Sequence, residues 1–364
     1  ASLYPDLRPA DLVTPAPADR SGVFLDVHSY GELVMWPWGF DATLAPNGAA
    51  MRTLGRRLGH LNGYRPQQGV ELYVTDGGTR DFAYGELGLP ALSFELGTSF
   101  FEPCERFEGQ ILDANVAALA YLLRVARRPY LEPAGPSIEG LGRSLAEVGE
   151  PVRVVGLAND AAYNQANGSE PVDAVAGVDL YLAQLPWNPG AVPRSARAAD
   201  GSFDGASEWF HADVLIEDDA PGTHGVFLRA RDDAASGPAY AASIDVVAPG
   251  SSGRVTGELR NANTGSLLAV PAVLQLGSSA TLALPGEQMQ YALRALPGSR
   301  TLKASAEGYA PLELGGLELV AGQTLVRNLA LVPVCSLVED SASSGLGNSN
   351  AQPPWGIGSA RYFS

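Results

Sequence analysis

At Pro129 the apolar pattern of this chain changes period, and that change limits what it can fold into more than any other feature. Before it, short apolar runs alternate with stretches whose large side chains recur at helical spacing. Ser21–His28 (SGVFLDVH) and Ala91–Leu96 (ALSFEL) read as buried strands, and Gly31–Trp38 (GELVMWPW) continues as apolar chain after a polar break. Asn47–Asn62 places Met51, Leu54, Leu58 and Leu61 on one helical face, with Gly63 as its C-cap. Gln110–Arg128 is a long amphipathic helix whose Arg124, Arg127 and Arg128 suit the negative end of its dipole. Strand and helix in alternation predict a sheet covered by helices, so residues 1–130 are expected to be α/β.

Beyond Pro129 the period is two, and the runs are short and bounded by Gly, Pro, Asn and Asp. Val152–Leu157, Val178–Leu182, Phe210–Ile216 and Gly225–Arg231 are examples. They predict an immunoglobulin-like β-sandwich over residues 131–247. Ala248–Gly253 (APGSSG) reads as a linker. Residues 254–334 read as a second all-β sandwich, and residues 335–364 as a tail or the opening of a further module.

Hydrophobic residues make up 46% and charged residues 18%, enough apolar side chain for real cores. Forty acidic against 24 basic residues give a net charge of -16, which repels phosphate backbones and excludes nucleic acid as an expected partner. No apolar run approaches the roughly 18 residues of a membrane-spanning helix. The opening residues lack the apolar centre of a signal peptide. Scarce lysine, abundant Gly and Pro, and tandem β modules nevertheless fit an exported, secreted bacterial protein. Cys104 and Cys335 fall in separate predicted domains, so no bond between them is expected.

Two segments carry chemistry. In FLDVHSYGELVMWPWG, His28 ends a strand where the chain turns outward, a common way to present a ligand; taken alone it reads first as a hydrogen-bonded core histidine. In LYVTDGGTRDFAYGELGLPALSFELG, Tyr73 precedes the Gly77–Gly78 pair and Asp81, and Glu95 stands between Phe94 and Leu96. A carboxylate in an apolar strand needs a cation, a metal or a proton. Glu95 is therefore a structural ion-pair member or a general base with a raised pKa.

Together these segments resemble the second half of the zinc metallocarboxypeptidase family related to carboxypeptidases A and B. The family's H-S-Y and aromatic-Pro-aromatic-Gly fall on His28, Ser29, Tyr30 and on Trp36, Pro37, Trp38, Gly39; its flexible tyrosine falls on Tyr73 and its catalytic glutamate on Glu95. The resemblance spans roughly residues 20–128. It implies a partial carboxypeptidase-like mixed sheet with flanking helices, a Zn2+ cofactor and peptide or protein substrates. It further implies that His28 is a zinc ligand, Glu95 the general base and Tyr73 a cover over the substrate's last residue. Ser29 and Tyr30 would line the adjacent subsite, and Arg80 the pocket that reads the substrate side chain. A planar cation there suits a carboxylate and implies preference for C-terminal Asp or Glu, unless Arg80 swings out to solvent or pairs with a nearby acid such as Asp76 or Glu86. The run GSRTLKASAEGYAP resembles the transthyretin-like regulatory domains appended to carboxypeptidases.

One departure matters. The family's other two zinc ligands lie in an H-x-x-E motif upstream, and none of His28, His60, His211 and His224 is followed by glutamate three residues on. The chain is thus expected to be a fragment, inactive by itself, whose remaining ligands lie elsewhere. The competing expectation is a non-catalytic remnant whose sandwiches serve adhesion or carbohydrate contact. Asp200–Asp204 (DGSFD) reads as a solvated turn rather than a calcium loop. Asn167–Ser169 (NGS) is a formal glycosylation sequon, but Asn-Gly is first a turn.

Overall fold

The computed structural model describes residues 5–9, 11, 13–140, 143–216 and 221–334. Cys335 lies outside the described residues; Cys104 is exposed and forms no disulfide among the described residues.

The first unit is a four-stranded mixed sheet in the order β1 (Phe24–His28), β4 (Ala91–Glu95), β2 (Leu33–Trp36), β3 (Arg65–Gln68). β1 runs parallel to β4, β4 antiparallel to β2, and β2 parallel to β3. Helix α1 (Gly48–Asn62) packs on it through Met51, Leu54 and Leu58, all wholly buried and worth roughly 1.5–3 kcal/mol each. Gly55 is required there: a Cβ at that position would stand 2.7 Å from the Trp36 ring. Gly63 ends the helix at φ +76°, a left-handed cap that glycine adopts without strain. The apolar core joins these to Trp36, Trp38, Tyr84, Leu92 and Phe94.

Two elements differ from the sequence reading. A seven-residue helix, α2 (Thr79–Gly85), follows the Gly77–Gly78 pair. The long final helix is interrupted: α3 (Cys104–Arg106) leads through a π turn at Phe107–Ile111 into α4 (Leu112–Val125).

Two double-sheet β units follow. In the first, β10 (Arg197–Ala198), β11 (Ser207–Val214), β7 (Val152–Asn159) and β5 (Ser137–Glu139) face β6 (Arg143–Glu147), β13 (Tyr240–Val247), β12 (Gly222–Arg231), β8 (Gly177–Leu182) and β9 (Arg194–Ser195). Period-two alternation buries Val226, Leu228 and Ala230 of β12 against Phe210 and Val154 of the opposite sheet. In the second, β17 (Gln290–Ala295), β14 (Gly253–Asn261), β20 (Thr324–Val326) and β21 (Leu329–Leu331) face β16 (Ser279–Ala283), β15 (Ala272–Leu276), β18 (Gly298–Ala306) and β19 (Leu312–Leu319). Val255, Leu274, Leu293 and Leu302 fill that core.

The units are not beads on a string. Loop 160–176, between β7 and β8, lies along α1. Arg57 of α1 is 1% exposed and donates to the carbonyls of Pro133, Asn159 and Gly135, to Asp160 and to the Tyr163 hydroxyl, with its guanidinium 3.7 Å from the Tyr163 ring centroid. Beside it, Arg56, Arg52 and Thr53 bind the Glu170 carboxylate. The predicted linker is also held fast: Ser252 is fully buried, and Glu147 accepts hydrogen bonds from Gly250 N, Ser252 N and the Ser252 hydroxyl.

Candidate active site

Parallel pairing of β1 with β4 sets His28 directly opposite Glu95, at the carboxyl ends of both strands. The carboxyl ends of parallel strands are where open α/β sheets bind ligands. Backbone bonds continue the pairing past the strands, from Leu96 N to His28 O and from Gly31 N to Gly97 O. Two residues separated by 67 positions in sequence are thereby fixed side by side.

His28 is about half exposed, and its Nε2 lies 3.0 Å from Asp26 Oδ2. Asp26 is the residue the sequence reading missed. Strand alternation puts i and i+2 on one face, which was the available signal. The Thr79 hydroxyl also donates to Asp26 Oδ2. Partial burial acts to raise the Asp26 pKa, but the Thr79 and His28 contacts outweigh it and hold the carboxyl below its ordinary value.

Glu95 is half-buried, and among the described residues its carboxylate accepts no hydrogen bond. Desolvation pushes its pKa above the ordinary value, opposed by the charges of His28 and Arg80 and reinforced by Asp26. A raised pKa makes the carboxylate more basic, the direction a general base requires.

Arg80 and Asp81 open α2. The Arg80 guanidinium rests on the bare Cα faces of Gly39 and Gly69: a Cβ at Gly69 would fall 1.9 Å from Nη2, and one at Gly39 would fall 2.9 Å from it. Neither Asp76 nor Glu86 pairs with it. The nearest carboxylate is Asp81, whose Oδ1 lies 3.7 Å from Nε, too far for a hydrogen bond. Asp81 instead accepts from Gly39 N through Oδ2 at 2.8 Å, while its Oδ1 and Arg80 Nε are buried with no hydrogen-bond partner among the described residues. Burial raises the Asp81 pKa, and burial also lowers that of Arg80 despite the neighbouring acids.

Tyr73 stands out from the surface, 65% exposed, in a segment anchored at both ends by Leu72 N to Gly69 O and Thr75 N to Gly39 O. Tyr30 is 48% exposed and meets Phe100 edge-on, with centroids 4.9 Å apart. Ser29 is exposed beside it, and the Ser29–Tyr30 and Pro37–Trp38 peptides are cis.

The same stretch matches known proteins. Residues 11–114 match the family model described as zinc carboxypeptidase. A zinc carboxypeptidase of Saccharothrix mutabilis subsp. capreolus is 38% identical over 78 residues, which are 20% of this chain and 18% of that protein. The chain therefore matches under a fifth of the length of this curated relative. Among solved structures, the group B streptococcus pilus 2b backbone protein aligns at 11% identity and TM-score 0.17, covering 55% of this chain and 98% of that one. The fibronectin(III)-like modules of Clostridium thermocellum CbhA align at 14% identity and TM-score 0.17, covering 30% of this chain and 96% of theirs. Neither likeness is close enough to assign a fold.

The matched segment offers one imidazole, that of His28. Zinc sites take three or four protein ligands. Among the described residues, no three His, Cys, Asp or Glu side chains converge at His28; the group of that kind is Asp200, Asp204 and Glu208, far along the chain. There Glu208 accepts from Asp204 N and Gly205 N, closing a turn. The residues at His28 alone do not fit zinc.

Proposed function

We propose that residues 11–114 are the half of a zinc carboxypeptidase active site that carries the general base and receives the peptide's C-terminal residue. The remaining zinc ligands are supplied by an H-x-x-E segment outside this chain. The observation that carries this reading is the register of His28 against Glu95, with a carboxylate that burial makes more basic and that no neighbour hydrogen-bonds.

In this reading His28 would hold zinc together with ligands from the upstream segment, and the metal would supply Lewis acidity toward the carbonyl and the water. Glu95 accepts a proton from the attacking water and later delivers it to the leaving amine. His28 is one metal ligand, oriented by Asp26 on the same strand face. Ser29 and Tyr30 line the adjoining subsite, and Tyr73, exposed between its two anchors, closes over the terminal residue. By this account the four-stranded sheet is part of a carboxypeptidase-like mixed sheet. The chain divides into a peptidase unit (1–130) and two β-sandwich units (131–247 and 254–334), a division supported by an apolar core in each, while a small fourth cluster of Val155, Ala199, Leu282 and Leu284 joins the two β units. The appended Gly- and Pro-rich β units support an exported, extracellular protein.

Arg80 sets the substrate preference. Its guanidinium is largely buried, lies against two glycines and is paired with Asp81 only loosely, at 3.7 Å and without a hydrogen bond at Nε, so a substrate Asp or Glu side chain would add the closer partner. In an enzyme that includes the upstream ligands, a peptide ending in Glu is expected to exceed matched peptides ending in Phe or Lys in kcat/KM. The margin expected is about ten- to a hundred-fold, the worth of one partly desolvated charge-assisted bond. Arg80→Ala should level the ranking; a ranking led by Phe or Lys, or one that Arg80→Ala leaves in place, refutes the assignment.

A further inference from the structure

We infer that the β unit following the peptidase segment is a working wall of its substrate site: loop 160–176 braces the turn that carries Tyr73 and seats Arg80, and Asn167 is a positioning residue for both. The inference rests on the roles proposed above for those two side chains.

The brace is continuous through hydrogen bonds. Asn164 N donates to Arg56 O at 2.9 Å, and its side-chain amide donates to Gly59 O and Tyr64 O at 3.2 and 2.8 Å. Arg56 donates to Asn167 O, and Glu170 is gripped by Arg52, Thr53 and Arg56. The loop is thus fixed on α1 by contacts on both sides of Asn167. From that platform Asn167 Nδ2 donates to Glu71 Oε2 at 3.0 Å.

Glu71 ends the short turn Gly69–Glu71, and its other carboxylate oxygen accepts from Gln68 N at 2.9 Å. Two residues later comes Tyr73. The first residue of the same turn is Gly69, whose Cα face supports the Arg80 guanidinium. One three-residue turn therefore positions the aromatic cover and the specificity cation together, and the β unit holds it through Glu71. A loop doing no more than joining β7 to β8 has no need to reach this turn.

The test reverses donor and acceptor. Asn167→Asp sets two carboxylates against each other. Adding Glu71→Gln restores a donor facing an acceptor, now running from residue 71 to residue 167, while the glutamine oxygen can still accept from Gln68 N. Hydrogen exchange is followed on the full chain, without metal or substrate, at the bonded amides of Val70, Leu72 and Thr75. Exchange at these amides is expected to rise about ten-fold in Asn167→Asp and less in Asn167→Ala, with α1 and β7 unchanged, and to return toward the parent rate in the double variant. Unchanged exchange at the turn in both single variants overturns the inference. So does acceleration spread equally through α1, which would make the loop a general staple, and so does a double variant that does not recover. Because no turnover is read, a negative result leaves the peptidase reading standing, and an inactive enzyme leaves the brace standing.

Discussion

Two buried arginines, 23 positions apart, show how differently this protein treats its structural and its reactive ends. Arg57, at the seam between α1 and the first β unit, spends its donors on three carbonyls, a carboxylate and a hydroxyl, and stacks on Tyr163. Arg80, at the site, lies on two glycines with its Nε unpartnered and a carboxylate 3.7 Å away. Burying a guanidinium is costly, and the seam offsets that cost completely within the chain. The site leaves part of it for a ligand to offset, and Glu95 beside it is in the same condition.

The contrast can be broken by mutation, and its largest effect belongs to the seam. Arg57→Ala leaves Asp160 buried without its cation and should lower unfolding free energy by about 3–5 kcal/mol in denaturant titration. Arg80→Met takes the cation from beside buried Asp81, but that pair is looser at 3.7 Å and Asp81 keeps its bond from Gly39 N, so the loss should be smaller than at Arg57. Equal losses at the two positions would dissolve the distinction between them.

A smaller effect sharpens the same point. Because burial raises the Glu95 pKa in the fold, its protonated form is favoured there relative to the unfolded chain. The stability this contributes is fully present below the unfolded carboxyl's ordinary range and is lost as pH rises through the folded pKa. Glu95→Gln removes the ionising group, so it should melt slightly higher than the parent at pH 7, with the advantage fading as pH falls toward 4. A variant that melts lower than the parent at neutral pH would mean that the carboxylate is paired and structural.

Periodicity made the main elements legible. Met51, Leu54 and Leu58 gave α1, Gly63 its end, and the apolar runs gave β1, β2 and β4. Motif spacing marked His28, Tyr73, Arg80 and Glu95, but only the β1–β4 register sets His28 against Glu95. What escaped was short or polar. Helix α2 has seven residues and an exposed Phe82, too little for a helical period to register. The π turn at Phe107–Ile111 precedes the buried stripe of α4, which by itself carries no sign of it. Asn164, Asn167 and Glu170 lie in a stretch whose composition reads as turn, since a polar loop carries no sign of which surface it will bind. APGSSG read as a flexible linker because Ser and Gly are permissive, yet Glu147, a hundred positions earlier, immobilises it. Independent folding of the β units, which strand patterns alone would suggest, is not what the Arg56 and Arg57 seam leads one to expect.

The central claim is that Glu95 is the proton acceptor of a peptidase site. It is tested most directly by measuring kcat and bound zinc for Glu95→Gln in a chain that includes the upstream H-x-x-E segment. Glutamine keeps the shape and cannot take the proton, so kcat should fall by about a hundred- to ten-thousand-fold while zinc content stays stoichiometric. A Glu95→Gln enzyme with full zinc and near-parental kcat would contradict it.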